Sequence, residues 1–288
     1  MERLGTARRL TLISLATNGF LGVFKVVGGL IGHSSVIVAD GIDSLSDMFT
    51  TLIAYAGVRI SAKEADDGHP YGHERFEAVL GKILALFLVL VAGGVVWNAL
   101  DELRFPVVNR PTYLALIAGA VSIVGKFLLS QYTIREAKKI KSTVYEADGK
   151  NYLNDVLSSI LALLGAYLAT RGWLIFQPLF SLFIAFNIFR VALSLYRQSI
   201  SDLTDQAANP EVVQRLRETI LSHPRVRSID SLRTRMHGQR IFVDAEIGVE
   251  WSLTLLDAHH IAEEVHDKIE LTFPDVKHIM VHVNPSID

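Results

Sequence analysis

ADGIDSLSD, residues 39–47, sets Asp40, Asp43 and Asp47 three and four residues apart inside an apolar run. Each residue of an α-helix turns about 100°, so positions i, i+3 and i+7 share one face. ADGKNYLND, residues 147–155, repeats the pattern about a hundred residues later with Asp148, Asn151 and Asp155. An ionised carboxylate in lipid costs at least ~3 kcal/mol even on the mildest scale. Such stripes must therefore face a partner, water or an ion. Three chemistries fit: helix–helix glue, paired-carboxylate acid–base work, and binding of a divalent cation. Glue is better served by Ser, Thr, Asn and small residues, because clustered like charges repel. An intramembrane aspartyl hydrolase would carry a GxGD-type signature, which is absent. A carboxylate-bridged diiron enzyme would need Glu-x-x-His pairs in the apolar helices, also absent. A cation offsets the repulsion directly. A sensor or assembly platform that binds metal without moving it would carry the same residues.

The elements that must hold these residues are spans. The chain has 288 residues, 50% of them hydrophobic, and its mean hydropathy is +0.33. Six stretches, near 10–31, 35–60, 78–100, 112–133, 144–170 and 176–198, are long enough to cross a hydrocarbon core of ~30 Å. The second and fifth carry the ADG repeat. The start, MERLGTARRL, is basic and then apolar, but no small-residue cleavage site precedes the next span, so the first helix reads as retained. Short loops with Arg3, Arg8, Arg9, Lys63, Arg75, Arg135, Lys138, Lys139 and Lys141 fall on one side; Arg104, Arg110 and Arg171 fall on the other. The richer side is expected to be cytoplasmic, with both termini. A net charge of −2 gives nucleic-acid binding no support, and the absence of cysteine excludes thiolate sites and disulfides. Lys25, Lys82, Lys126 and Arg190 lie within spans and are expected to snorkel or pair.

Past Asp205-Gln-Ala-Ala-Asn-Pro210 the chain reads as a soluble domain. A helix over 210–222 has Pro210 in its first turn. Strands follow over 226–235 and 240–249 around His237-Gly238. Ser252 is the expected cap of a helix to about 272, with Leu255, Leu256, Ile261, Ala262, Val265 and Ile269 on its buried side. A last strand runs from Val276 to Val283. The order αββαβ predicts a small sheet with helices on one face. His237, His260, His266 and His278 read as surface residues.

At this point the sequence resembles the cation diffusion facilitator family of metal/proton antiporters, in a bacterial, manganese/iron-type variant. The resemblance covers almost the whole chain and rests on Asp43-Ser-Leu-Ser-Asp47 with Asn151-Tyr-Leu-Asn-Asp155. It implies a transmembrane domain of six helices over 1–204. A cytoplasmic dimerisation and regulatory domain of α+β, metallochaperone- or ferredoxin-like type follows over 205–288. It implies a transport site of Asp43, Asp47, Asn151 and Asp155, with Asp40 and Asp148 in the pathway or second shell. Zinc-transporting relatives commonly place His where Asn151 stands. Three carboxylates and an amide carbonyl suit harder ions. The expected substrate is therefore Mn²⁺, then Fe²⁺, with Zn²⁺ or Cd²⁺ efflux as the alternative.

The resemblance also assigns a second, loop-borne metal site to Asp66, His69 and His73 of Asp66-Asp67-Gly68-His69-Pro70-Tyr71-Gly72-His73; a loop that only caps the third span is the competing reading. In the tail it aligns Asp230, Glu246, His259, His282 and Asn284 with a metal site, against a purely dimer-forming domain. Arg75 and Asp205 resemble an interlocking ion pair at the family's dimer interface. The whole implies a homodimeric exporter in the inner membrane, not an enzyme, exchanging a divalent cation for protons by alternating access.

Overall fold

The computed structural model describes residues 2–105, 109–140 and 142–286. Lys141, counted above in the charge bias, lies outside them. Six long helices come first: α1 (Glu2–Ile31), α2 (Ser35–Ser61), α3 (Arg75–Arg104), α4 (Tyr113–Lys139), α5 (Thr143–Thr170) and α6 (Phe176–Leu203). At 1.5 Å per residue each is longer than a hydrocarbon core is thick. Five are also apolar enough to cross a membrane: α3, α4 and α6 throughout, α1 over Arg8–Ile31 and α5 over Tyr145–Thr170. The exception is α2, where six spans were expected. It has the length, 27 residues, but Asp40, Asp43 and Asp47 dilute its apolarity.

The chain divides into two compact units. One holds Met1–Tyr55 and Ile83–Tyr196, the other Ala56–Lys82 and Arg197–Asp288. The first is inverted relative to a soluble protein. Lys25, Asp40, Ser44, Ser122, Lys126, Ser130 and Ser159 are fully buried. Leu90, Trp97, Leu128 and Phe186 are each more than 60% exposed. That is the pattern of helices whose solvent is lipid, where polar side chains must satisfy one another inside.

The glycine of each ADG has a packing reason. A Cβ on Gly41 would sit 2.8 Å from the backbone nitrogen of Val26 on α1. On Gly149 it would meet Ile134 Cγ1 of α4 at 2.5 Å. Each glycine lets its helix lie against a neighbour's backbone, the small-residue packing typical of membrane helices. The repeat thus encodes a close helix pair as well as a polar face.

The tail is α7 (Pro210–Leu221), β1 (Ser228–His237), β2 (Arg240–Glu250), α8 (Leu255–Thr272) and β3 (Val276–Ser286). This is the expected αββαβ order. The sheet order is β1-β2-β3, antiparallel then parallel. Asn209 caps α7, its side chain accepting from the Glu211 amide, with Pro210 next in the chain. Ile241, Val243, Ala245, Ile247 and Val249 of β2 pack with Leu216, Ile220, Ile261, Val265 and Ile269 of the helices. Alternate β2 and β3 residues point to the other face.

Three expectations are corrected. The cap of α8 is Thr254, not Ser252; its hydroxyl accepts from the Asp257 amide. Leu255 and Leu256 are 88% and 64% exposed, because they then fall in the first turn and Leu256 points about 140° away from Ile261. His237 is buried rather than on the surface. It ends β1 against the Phe242 ring, at 5.1 Å, and burial, followed by the Arg75 charge, lowers its pKa.

Candidate metal site

The stripe of three aspartates on α2 separates into two environments. Asp43 and Asp47 join Asp155 of α5, and ligand atoms of all three lie within 4.8 Å of one another. Asp47 also faces a cavity of about 200 Å³ lined by Asp148, Asn151, Thr50, Thr51 and Thr133. Asn151 and Asp148 therefore share the approach to Asp47. The donors around this space are carboxylate, amide and hydroxyl oxygens. Asp47 Oδ2 and Asp155 Oδ2 are buried without a hydrogen-bond partner. Buried carboxylate oxygens without a hydrogen bond are costly, and a cation with oxygen ligands would satisfy both.

Asp40 lies elsewhere. Its Oδ2 is 2.9 Å from Lys25 Nζ of α1, with both side chains fully buried. Ser159 donates to its Oδ1 at 3.0 Å, and Lys25 donates to Ser44 at 2.7 Å. Asp40 Oδ2 is itself buried without a hydrogen-bond partner, and Asp40 does not line the cavity that Asp47 faces.

Two lysines complete the chemistry. Lys25 neutralises Asp40. Lys126 of α4 is fully buried, with Nζ 3.2 Å from Asp155 Oδ2 and 3.6 Å from Asp47 Oδ2. Both are among the span lysines expected to snorkel or pair, and both pair, but the sequence does not name their partners. A signal was present on α4: Ser122, Lys126, Ser130 and Thr133 recur at intervals of four, four and three, and all four are buried. On α1, Ser14 and Asn18 precede Lys25 in the same way, and both line the cavity. Ser14 also hydrogen-bonds Tyr152 of α5.

The loop between α2 and α3 builds the second cluster. Asp66 accepts from the amides of Gly68 and His69 at 3.0 and 2.7 Å, and Gly72 closes the turn at φ +96°. Asp66 Oδ1 lies 3.4 Å from His69 Nδ1, and Asp66 Oδ2 lies 3.4 Å from His73 Nε2. The His69 amide, more than any other group, holds the Asp66 carboxyl below the usual carboxylate range. The Glu64 carbonyl is 3.1 Å from His73 Nδ1. That contact favours a proton on Nδ1 and leaves Nε2 free to ligate, the outer support that metal-binding histidines ordinarily have. Ligand atoms of Asp66, His69 and His73 all lie within 4.8 Å of one another.

The tail residues are gathered less completely. Glu246 of β2 pairs in register with His282 of β3, and Asp230 Oδ2 accepts from Asn284 at 2.9 Å. His259 stands apart on α8, paired with Glu263 at 3.3 Å. Among the described residues, no three of Asp230, Glu246, His259 and His282 bring ligand atoms within 4.8 Å of one another. Arg75 and Asp205 do form an ion pair, within one chain.

Residues 11–204 match the family profile described as the cation efflux transmembrane domain, and residues 208–286 match that of the cation efflux protein cytoplasmic domain. The manganese efflux system protein MneP of Bacillus subtilis (strain 168) is 33% identical over 292 residues, covering 99% of this chain and 98% of that protein. The magnetosome protein MamM of Paramagnetospirillum magneticum is 29% identical, covering 90% and 82%. The cation-efflux pump FieF of Shewanella oneidensis is 27% identical, covering 99% and 93%. A multi-pass helical protein with a carboxylate cluster among its spans and an αββαβ tail, matched over most of its length by these profiles, belongs to the cation efflux family, the cation diffusion facilitators, which transport divalent metal ions.

Proposed function

We propose that this chain exports Mn²⁺, with Fe²⁺ next in preference, in exchange for protons. The observation that carries the reading is the convergence of Asp43, Asp47 and Asp155, whose ligand atoms lie within 4.8 Å of one another, with Asn151 on the adjoining cavity. An all-oxygen donor set favours harder divalent ions, whereas imidazole suits zinc. The name of the relative MneP points the same way. The cation enters from the cytoplasm and binds Asp43, Asp47, Asn151 and Asp155. Helix rocking then exposes it to the far side, where protons compete for the same carboxylates. The protein works as a homodimer in the cell inner membrane, with both termini cytoplasmic. The transport domain occupies 1–204 and the dimerisation domain 205–288. Asp148 serves the pathway, and Asp66, His69 and His73 hold a second metal that orders the loop.

Purified protein in liposomes, offered Mn²⁺, Fe²⁺, Zn²⁺ and Cd²⁺ in turn, with metal flux and luminal pH recorded together, tests the reading. The expected result is Mn²⁺ flux coupled to a pH change and abolished by Asp47→Ala or Asp155→Ala. Flux favouring Zn²⁺ over Mn²⁺ would refute the substrate, and flux without a pH change would refute the antiport.

A further inference from the structure

Lys126 has no role in the reading above, yet it touches the site. Its Nζ is 3.2 Å from Asp155 Oδ2 and 3.6 Å from Asp47 Oδ2, and the side chain is fully buried. Neither contact has hydrogen-bond geometry: Lys126 Nζ, Asp47 Oδ2 and Asp155 Oδ2 all lack a hydrogen-bond partner. The ammonium therefore acts on these oxygens as a point charge, with three donors that nothing else uses. Lys25 differs in donating a hydrogen bond to Ser44, although Asp40 Oδ2 beside it likewise has no hydrogen-bond partner. Lys126 stands against the two oxygens that a cation would need.

Charge counting gives the consequence. Asp43, Asp47 and Asp155 carry three negative charges when ionised, and Lys126 carries one positive. The remainder, two negative charges, equals the charge of a divalent cation with opposite sign. A metal ion bonds carboxylate oxygen at ~2.0–2.2 Å, so one binding the Oδ2 atoms of Asp47 and Asp155 would compete for them with Nζ, which stands 3.6 and 3.2 Å away. The ammonium must yield to it.

We infer that Lys126 is a tethered counter-cation of the transport site. It occupies the two carboxylates while the site is empty, is pushed off them when metal binds, and so sets the metal affinity low enough for release. The inference rests on reading Asp43, Asp47 and Asp155 as the transport site. Swapping Lys126 for an uncharged chain removes a competitor. Swapping it for arginine replaces a point charge with a planar fork that can hold two carboxylate oxygens at once and is harder to displace. The two changes should therefore move affinity in opposite directions, which a merely structural residue would not do.

The experiment is equilibrium Mn²⁺ binding to the purified full chain, by competition with a metal indicator, in parent, Lys126→Met, Lys126→Arg and Asp155→Ala proteins. Lys126→Met should bind Mn²⁺ at least tenfold more tightly than parent, and its turnover in liposomes should fall because release is slower. Lys126→Arg, which keeps the charge and so covers the case in which the methionine variant does not fold, should bind at least tenfold more weakly. Unchanged or weaker binding in folded Lys126→Met, or unchanged or tighter binding in Lys126→Arg, overturns the inference. Asp155→Ala separates the two levels. If it still binds Mn²⁺ like the parent, the site itself is misassigned. If it loses binding while Lys126→Arg binds normally, only the role of Lys126 falls.

Discussion

Asp155→Ala should do more than remove a ligand. Asp155 is the nearer partner of a lysine with no exposed surface, 3.2 Å against 3.6 Å for Asp47. Deleting one member of a buried ion pair leaves the other charge desolvated, at a cost of about 3–5 kcal/mol. Because Asp47 still faces Lys126, the lower end, about 3 kcal/mol, is expected. Asp47→Ala should cost less, since its side chain is 34% exposed and the contact is longer. Replacing both charges, as in Asp155→Ala with Lys126→Met, should return most of the stability because no unpaired lysine remains. Transport should stay absent, because the ligand is still missing. Denaturant unfolding of the detergent-purified full chain, followed by tryptophan fluorescence, gives the three stabilities, and liposome flux gives the function. If Asp155→Ala matches the parent within ~0.5 kcal/mol, or if the double variant is no more stable than the single, the buried-pair reasoning is wrong.

Asn151→His exchanges a hard carbonyl for a borderline imidazole and should shift the Zn²⁺-to-Mn²⁺ transport ratio about tenfold toward zinc, about 1.4 kcal/mol. An unchanged ratio across several pH values would remove residue 151 from selectivity. In the loop, His69→Ala combined with His73→Ala should lower the bound-metal count measured by elemental analysis of purified protein; an unaltered count would leave the loop a structural turn. Residues 206–288 alone should be soluble and dimeric, and a monomer in concentrated solution by analytical ultracentrifugation would move dimerisation to the spans. Glu264 accepts from His223 at 2.6 Å, which lowers its pKa below the usual 4.5. A depressed acid stabilises above its unfolded pKa and loses that contribution as pH falls through its folded value. The stability gap between the parent tail and Glu264→Gln should therefore be full at pH 6 and shrink as pH falls below the unfolded value of 4.5; a gap independent of pH would contradict the assignment.

The sequence by itself determined the elements, because their signals are local. Apolar length marked five of the six long helices, the His237-Gly238 turn divided the first two strands, and Pro210 marked the start of α7. Spacing alone put Asp43 and Asp47 on one face of α2, and the repeat put Asn151 and Asp155 on one face of α5. Short spacing likewise set Asp66, His69 and His73 within eight residues, where the family resemblance assigns a metal site. Tertiary structure decided which groups on those faces meet. Asp40 has the same helical phase as Asp43 and Asp47, yet it pairs with Lys25, because α1 packs against α2 where Gly41 admits Val26. Lys126 reads in sequence as one more lysine in a span, and only the packing of α4 on α5 at Gly149 and Ile134 brings it to Asp155. His237 reads as a turn residue and is buried by Phe242. The physical reason is common to all three. Helix phase is fixed by residue spacing, a property of one segment. The partner of a buried charge is fixed by which other segment comes within about 4 Å, and a single sequence carries no term for that distance.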